Sequence, residues 1–536
     1  MRFLIPANGP TVPNSKHWQF CVGSGHAQLA LRTDYLRQLQ WIHDELGIRY
    51  VRFHGIFCDD MHTLTDLKEM LPFPGAERFS ERNFRACGIV YDNVLAAGMK
   101  PFVELGFMPR KLAADPDAKG FLYYKPNFSM PKDFSAWKEY LQAFIRFLLH
   151  RYGAEEVRSW YFEVWNEPDL GNSFFTGGTD GYLALYKASA EAIKAVDSML
   201  KVGGPATSAS RGVKPFRAYC EQNGIPLDFL STHQYPGDPI AGVEASGGPE
   251  DDTAQAHTVE LFTPDKLAAI GALLDAVPGK TFLSGMRALL ADKSETTDIA
   301  PGVFKRNAAI VRKQAEGYPL IYSEWNANAI FSAYTNDTKK VAAYLVKTAL
   351  EVAPYVDASS VWCFSDLFEE WHTFVEPFHG GFGLLNQDGI EKPGFWALKL
   401  LSLCGDERLV LPDAAFDGEI GLAAFRSQTG MQLLLFRQRM KSDPAAAKEA
   451  TELAIELPAE PKNVTVRRID DEHGNPLAIW ETVYKRRNDL NAAEIEDIRT
   501  RSAVRPEPLS FVYADGKLTM STALGVNDVC LIEIMY

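Results

Sequence analysis

Two glutamates stand where carboxylate chemistry would be easiest to stage. Glu167 lies in FEVWNEP and Glu324 in IYSEWN, each at the end of an apolar, aromatic stretch and each close to a Trp and an Asn. Cleavage of a glycosidic bond needs such a pair: one carboxyl protonates the leaving oxygen while the other attacks the anomeric carbon or activates water. Its oxocarbenium-like transition state also asks for hydroxyl-binding donors and an aromatic floor. Candidates are His54 in VRFHG, Asn166, His233 and Tyr235 in STHQYP, Trp362 in VWCFSD, and Trp371. Asp366, Glu369 and Glu370 follow Trp362 closely. A lone glutamate at a strand end is usually a solvated rim residue; two in matching Trp/Asn settings point to a shared task. Glu104, inside FVELGF, is flanked by apolar residues and reads as a buried structural or supporting carboxylate.

These residues need a scaffold that gathers strand ends on one face. Between about residues 18 and 405, short apolar runs alternate with longer amphipathic stretches. The runs are Phe20–Gly23, Tyr50–His54, Pro101–Leu105, Ser159–Trp165, Lys201–Gly204, Phe229–His233, Leu320–Trp325 and Ala358–Phe364. Helical periodicity fills the gaps, as in Tyr35–Leu46, Phe84–Ala97, Phe134–Tyr152, Gly181–Val196 and Thr338–Val352. Eight such units predict a (β/α)8 barrel over 15–405, whose functional residues collect at the C-terminal strand ends. Residues 237–300, opening with the Gly-, Pro- and Asp-rich GDPIAGVEASGGPEDDTAQAHT, are expected to form a long loop over the barrel mouth. Beyond Cys404 the pattern changes to two-residue alternation (ELAIELP, NVTVRRID, CLIEIMY), with a helical piece near Asn491–Arg501. Residues 406–536, joined by 1–14, are therefore expected to build a β-sandwich-like accessory domain.

Composition limits the partners. At 536 residues with a formal charge of −14, the chain is too acidic for a phosphate-binding surface, so no nucleic-acid partner is expected. A neutral oligosaccharide or glycoside fits that balance. No run approaches membrane-spanning length, and MRFLIPANG is too short for a signal-peptide core, so a cytoplasmic location without membrane association is expected. The seven cysteines are scattered and read as buried, reduced thiols. His54 and His233 form no HxH, HExxH or compact His/Asp motif, so no metal is expected. Gly23-Ser24-Gly25 begins a dinucleotide fingerprint, but Gln28 replaces its third Gly. With neither a P-loop nor GxSxG present, no cofactor is indicated. Oligomeric state has no signature in the chain.

The order of motifs resembles glycoside hydrolase family 39, the β-xylosidases and α-L-iduronidases within the clan of retaining (β/α)8-barrel glycosidases. The likeness runs through FCVGSGHAQLALR, YVRFHGIFCDDM, KPFVELGFMP, WYFEVWNEPDL, LKVGGPATS, DFLSTHQYP, LIYSEWNA, SSVWCFSDLFEE, HGGFGLLN and KPGFWAL, nearly the whole barrel in order. It implies Glu167 as proton donor and base, Glu324 as nucleophile, and retention of anomeric configuration. It further implies that Asn166 holds the substrate 2-hydroxyl and that His54, His233, Tyr235, Trp362, Glu369 and Glu370 line the sugar subsite. His233 and Tyr235 are expected to orient Glu324 by hydrogen bonds. A β-xyloside cleaved from the non-reducing end is the first expected substrate. β-Glucosides, β-galactosides, α-L-arabinosides and α-L-iduronides are the alternatives. A non-catalytic carbohydrate-binding barrel stands further off, because both glutamates are present.

Overall fold

The computed structural model describes residues 1–239, 264–277, 279–295, 302–371, 373–412, 415, 418–440 and 446–536. Eight parallel strands close into a barrel in chain order: β1 Cys21–His26, β2 Tyr50–His54, β3 Lys100–Glu104, β4 Tyr161–Glu163, β5 Lys201–Thr207, β6 Phe229–Gln234, β7 Leu320–Trp325 and β8 Ala358–Val361. Pairing of Ser360 with Cys21 and Val361 with Val22 completes the ring. These are the eight runs read from the sequence, with ends displaced by up to three residues.

Alternation along the strands sorts the side chains into two sets. On β2, Val51 and Phe53 join the large core between strands and helices, where Cys87, Val90 and Tyr91 meet them. Tyr50 points inward at the barrel bottom, in a plug with Phe20, Cys21, Phe102, Phe229, Ile321, Ala358 and Tyr161. The helix Phe134–Tyr152 shows how the outer layer is specified. The Asp133 side chain caps it by accepting from the Ser135 amide at 2.7 Å, and Gly153, at φ 83°, ends it. Trp137, Tyr140, Leu141, Phe144, Ile145 and Leu148 fall on one buried stripe. Trp137 Nε1 then donates to Ser189 Oγ on the neighbouring helix Gly178–Val196 at 2.9 Å.

The segment expected as a loop is partly helical. Most of 237–258 lies outside the described residues, but Pro264–Asp275 and Phe282–Glu295 are α-helices. Pro264 at the first helical position and the Ala- and Leu-rich runs behind it favour that outcome. The Gly and Asp density further upstream conceals it. The second helix docks on the barrel mouth: buried Leu283 packs with Phe331, Trp362, Phe368, Phe374 and Phe382.

The C-terminal residues and the N-terminal strands form two sheets. Arg2–Ile5, Glu449–Glu456, Phe511–Ala514 and Lys517–Leu524 make a four-stranded sheet. A seven-stranded sheet contains Thr11–Pro13, Glu407–Leu409, Ile420–Ser427, Gly430–Arg437, Asn463–Ile469, Glu507–Pro508 and Val529–Met535. Their facing side chains, among them Phe3, Ile5, Leu453, Leu518, Leu433, Leu435 and Ile532, share one core. The opposite face of the larger sheet is also buried: Ala423, Phe425, Leu434, Phe436 and Leu531 belong to the barrel's core. The helical piece spans Ala492–Ser502, and a second helix, Pro476–Thr482, precedes it. Leu477, Trp480 and Ile498 from this pair pack against Phe378 and Ile390 of the long segment after β8. All seven cysteines are buried and free.

Candidate active site

Above the aromatic plug the barrel interior becomes charged. Arg52 of β2, one step inward from Tyr50, is fully buried on the barrel axis. Its Nε donates to Glu163 Oε2 at 2.7 Å and its Nη2 to Asn166 Oδ1 at 2.9 Å; Glu104 Oε2 lies 3.0 Å away. One guanidinium thereby fixes residues from β3, β4 and the turn beyond β4. Removing one partner of a buried charge cluster strands the others, at a cost of about 3–5 kcal/mol. Arg52→Leu should therefore lower the urea unfolding free energy by about that amount; a loss of less than ~1 kcal/mol would show that Glu163 and Glu104 do not depend on it.

On this layer stand the two glutamates. Glu167 is reached through a strained turn, with Trp165 at φ 73° and Glu167 at φ 43°. Non-glycine residues held there cost about 1–3 kcal/mol each and persist where surroundings over-determine them. Here Trp165 Nε1 donates to the Phe174 carbonyl at 2.9 Å, and the Glu167 amide donates to that of Ala206 at 2.9 Å. Glu324 is aimed by an irregularity in β7. Thr232 pairs with Tyr322 but His233 pairs with Glu324, so Ser323 is an extra residue. That bulge turns Glu324 inward and Trp325 out into the helical layer, where it packs on Phe304. The two carboxylates are 9% and 7% exposed, nearly shut off yet open to the mouth.

His233 stands between them, with Nδ1 3.0 Å from Glu167 Oε1 and 3.7 Å from Glu324 Oε2. Glu167, His233 and Glu324 each present an atom within 4.8 Å of the others, so a carboxylate oxygen of each glutamate comes that close. Tyr235 donates its hydroxyl to Glu324 Oε1 at 2.6 Å, and Arg52 Nη1 lies 3.5 Å from Oε2.

These surroundings treat the two carboxyls differently. Burial, then the neighbouring charge of Asp169, push Glu167 up to about 8. Asp169 is held there by the Ser208 amide and hydroxyl at 2.9 and 2.7 Å. Burial raises Glu324 too, and the adjacent Glu167 adds to that, while Arg52 and His54 pull it part of the way back; the Tyr235 hydroxyl donates to its Oε1. Burial lowers His233, which is neutral at pH 7, and raises Tyr235, which keeps its proton to donate. A carboxyl that keeps its proton at neutral pH, beside one that accepts from Tyr235 and faces Arg52, can deliver a proton and a nucleophile to the same bond.

His54 stands beside this pair, its ring 4.8 Å from that of Trp362. Its Nδ1 lies 2.6 Å from Glu104 Oε2 and its Nε2 3.7 Å from Glu370 Oε1. Burial opposes its charge, but Glu104 and Glu370 outweigh that and hold it near 9, a cation at neutral pH. Burial raises Glu370 to about 8, and its Oε1 has no hydrogen-bond partner. Trp362 lies against β1 at Gly23, where any Cβ would overlap the indole, so only glycine fits.

Of the residues expected here, Glu167, Glu324, His54, Asn166, His233, Tyr235, Trp362 and Glu370 come together. Two expectations change. His233 sits nearer Glu167 than Glu324, leaving Tyr235 as the hydroxyl that holds Glu324. Glu369 turns away to an ion pair with Arg32, because its φ of 52° reverses the chain between it and Glu370. Asp366 is a buried structural group, paired with Lys392 at 3.0 Å. Glu104 is the supporting carboxylate its apolar flanks suggested. Sequence reading passed over Arg52 and Glu163. The signal was there: a cation two residues before His54, on the same face of a strand whose other residues are apolar.

The profile of glycosyl hydrolases family 39 matches residues 1–263 and 288–519, leaving out 264–287, where the first extra helix lies. A β-xylosidase of Caldicellulosiruptor saccharolyticus is 32% identical over 97% of this chain and 95% of its own. One from Geobacillus stearothermophilus is 31% identical over 99% and 94%. The crystal structure of a β-xylosidase from Caulobacter crescentus CB15 superposes with a TM-score of 0.78 at 27% identity, covering 100% of this chain and 99% of the other.

Proposed function

The chain belongs to glycosyl hydrolases family 39, a glycoside hydrolase by that membership, and we propose that it releases xylose from the non-reducing end of short β-xylo-oligosaccharides with retention of configuration. The approach of the two carboxylates carries the mechanism: oxygens of Glu167 and Glu324 come within 4.8 Å. Retaining enzymes space these groups at about 5–5.5 Å, whereas inverting ones need about 6.5–9.5 Å to seat a water. In this reading Glu167 protonates the departing oxygen while Glu324 attacks the anomeric carbon, forming a glycosyl ester. Glu167 is left ionised once its proton has gone to the leaving group; esterification removes the charge of Glu324, so Glu167 stays ionised and can take the proton of the water that releases the sugar. Asn166, oriented by Arg52, offers its amide to the 2-hydroxyl, and His54 and Glu370 face the glycone.

Exo action is supported by a bond from the Tyr123 amide to the Glu370 carbonyl at 2.6 Å. It ties the segment after β3 to that after β8, across the ends of β1 and β2, and favours a cleft closed on one side. Xylose over other glycones follows the two long-range relatives, both β-xylosidases. Aryl β-xyloside, β-glucoside, β-galactoside, α-L-arabinoside and α-L-iduronide assayed in parallel test the choice, with the highest kcat/KM expected on the xyloside. Proton NMR of the first-formed sugar should show the β-anomer before mutarotation; an α-anomer would remove Glu324 as nucleophile.

A further inference from the structure

Outside the carboxylate pair, a second group of metal-ligating side chains gathers at the barrel rim: His26, which ends β1, and Cys58 and Asp60, just beyond β2. One atom of each lies within 4.8 Å of the other two, and His26 and Cys58 are buried. His26 Nε2 approaches Asp60 Oδ2 at 3.2 Å, yet Nε2 has no hydrogen-bond partner, and neither has the shielded Asp60 Oδ1. The imidazole and carboxylate thus face each other as a close pair that makes no hydrogen bond, and their buried lone pairs are costly unless something between them binds both. We propose that His26 Nε2, Cys58 Sγ and an Asp60 carboxylate oxygen bind one zinc ion, with water in the fourth position.

The donor set favours that metal. A thiolate with an imidazole and one carboxylate is too soft for calcium or magnesium and matches the tetrahedral N, S and O ligation of zinc. The ring is held in place: His26 stacks on Tyr124 with centroids 3.9 Å apart and planes 6° from parallel. Cys58 is set by its amide, which donates to the Gly55 carbonyl at 3.0 Å, and its sulfur receives a hydrogen bond from the Phe107 backbone. Asp60, with a side chain 31% exposed, leaves a route from solvent. No compact motif announces the site, because residue 26 is brought to 58 and 60 by the pairing of β1 with β2 rather than by spacing. Zinc here would lock Tyr124, next to the Tyr123 amide that bonds Glu370, and so brace one wall of the cleft. Binding replaces the thiol proton, so affinity should rise with pH.

Cobalt(II) is the direct probe. Chelator-treated protein should bind one equivalent of Co2+ and develop a near-ultraviolet thiolate-to-cobalt charge-transfer band, which added Zn2+ bleaches. The band should persist in Glu324→Gln, which disables the catalytic cluster as a metal site, and vanish in Cys58→Ala. Zn2+ should raise the melting temperature of the wild type and not of Cys58→Ala. Absence of the band, or the same spectrum in Cys58→Ala, would overturn the proposal. Where Cys58→Ala fails to fold, Asp60→Asn decides: it should need more Co2+ to reach the same absorbance, and an unchanged titration counts against the site.

Discussion

Glu324→Gly should lose at least about 10⁴-fold in kcat on any aryl glycoside while melting close to the wild type. The side chain being removed stands on the open side of a bulge, so no apolar core is emptied. Its ion-pair neighbour Arg52 keeps Glu163 and Glu104. Loss of activity with the fold intact would by itself fit a binding residue as well as a nucleophile. Added azide separates the two. A small anion entering the vacated space attacks the anomeric carbon from the same side as the missing carboxylate. With a dinitrophenyl β-xyloside, turnover should return and the product should be the α-xylosyl azide. A β-configured product, or no rescue at any azide concentration, would place the nucleophile on another residue.

Glu167→Ala is the second large effect, and it should divide substrates by leaving group. A xylo-oligosaccharide leaves as a poor alkoxide and needs the proton, so its kcat/KM should fall by about 10²–10⁴-fold. Dinitrophenolate leaves unaided, so its first step should be nearly unchanged. Turnover then stalls at hydrolysis of the ester, giving a burst and a low KM. The pH profile supplies an independent reading. A group held near 8 is protonated below that pH, so the wild-type kcat/KM should decline as pH rises through about 8. In Glu167→Ala that decline should disappear. Equal slowing of both substrates with an unchanged alkaline limb would hand the acid role to another buried carboxyl, of which Glu370, also near 8, stands nearest in character.

What the sequence made legible follows from how local each signal is. Strand-end position was enough to bring His233 and Tyr235 to one mouth, because they keep the alternation that begins at inward-facing Phe229; Glu167 lies four residues beyond β4 and is turned in by its strained turn. Glu324 shows where that logic stops. Counting by twos from Ile321, which faces inward in the bottom plug, would send Glu324 outward; the extra residue at Ser323 reverses it, and nothing in IYSEWN marks a bulge. Glu369 and Glu370 differ for a related reason. Adjacent in sequence and alike in chemistry, they diverge because Glu369 is itself left-handed, which no composition argument detects. Arg52 was overlooked through its neighbours, since VRF reads as an ordinary buried strand until its partners on three other strands are known. The helices after Pro264 were hidden by the glycine-rich stretch that precedes them.

The seven-stranded sheet has a consequence for how this chain can be divided. Leu433, Leu434, Leu435 and Phe436 run without a polar break because odd positions face the sandwich and even ones face the barrel. A sheet wetted on one side can be cut from its neighbour and still fold; this one has no wet side along those strands. Cutting after residue 405 would leave a barrel with an uncovered apolar patch on the helices Lys339–Val352 and Pro393–Leu403 and, on the other piece, a sandwich showing Phe425, Leu434 and Phe436 to water. Heat or denaturant should therefore melt both parts in a single transition. Gene fusions that treat the C-terminal quarter as a detachable cassette should aggregate, and in evolution the two parts would have to travel together.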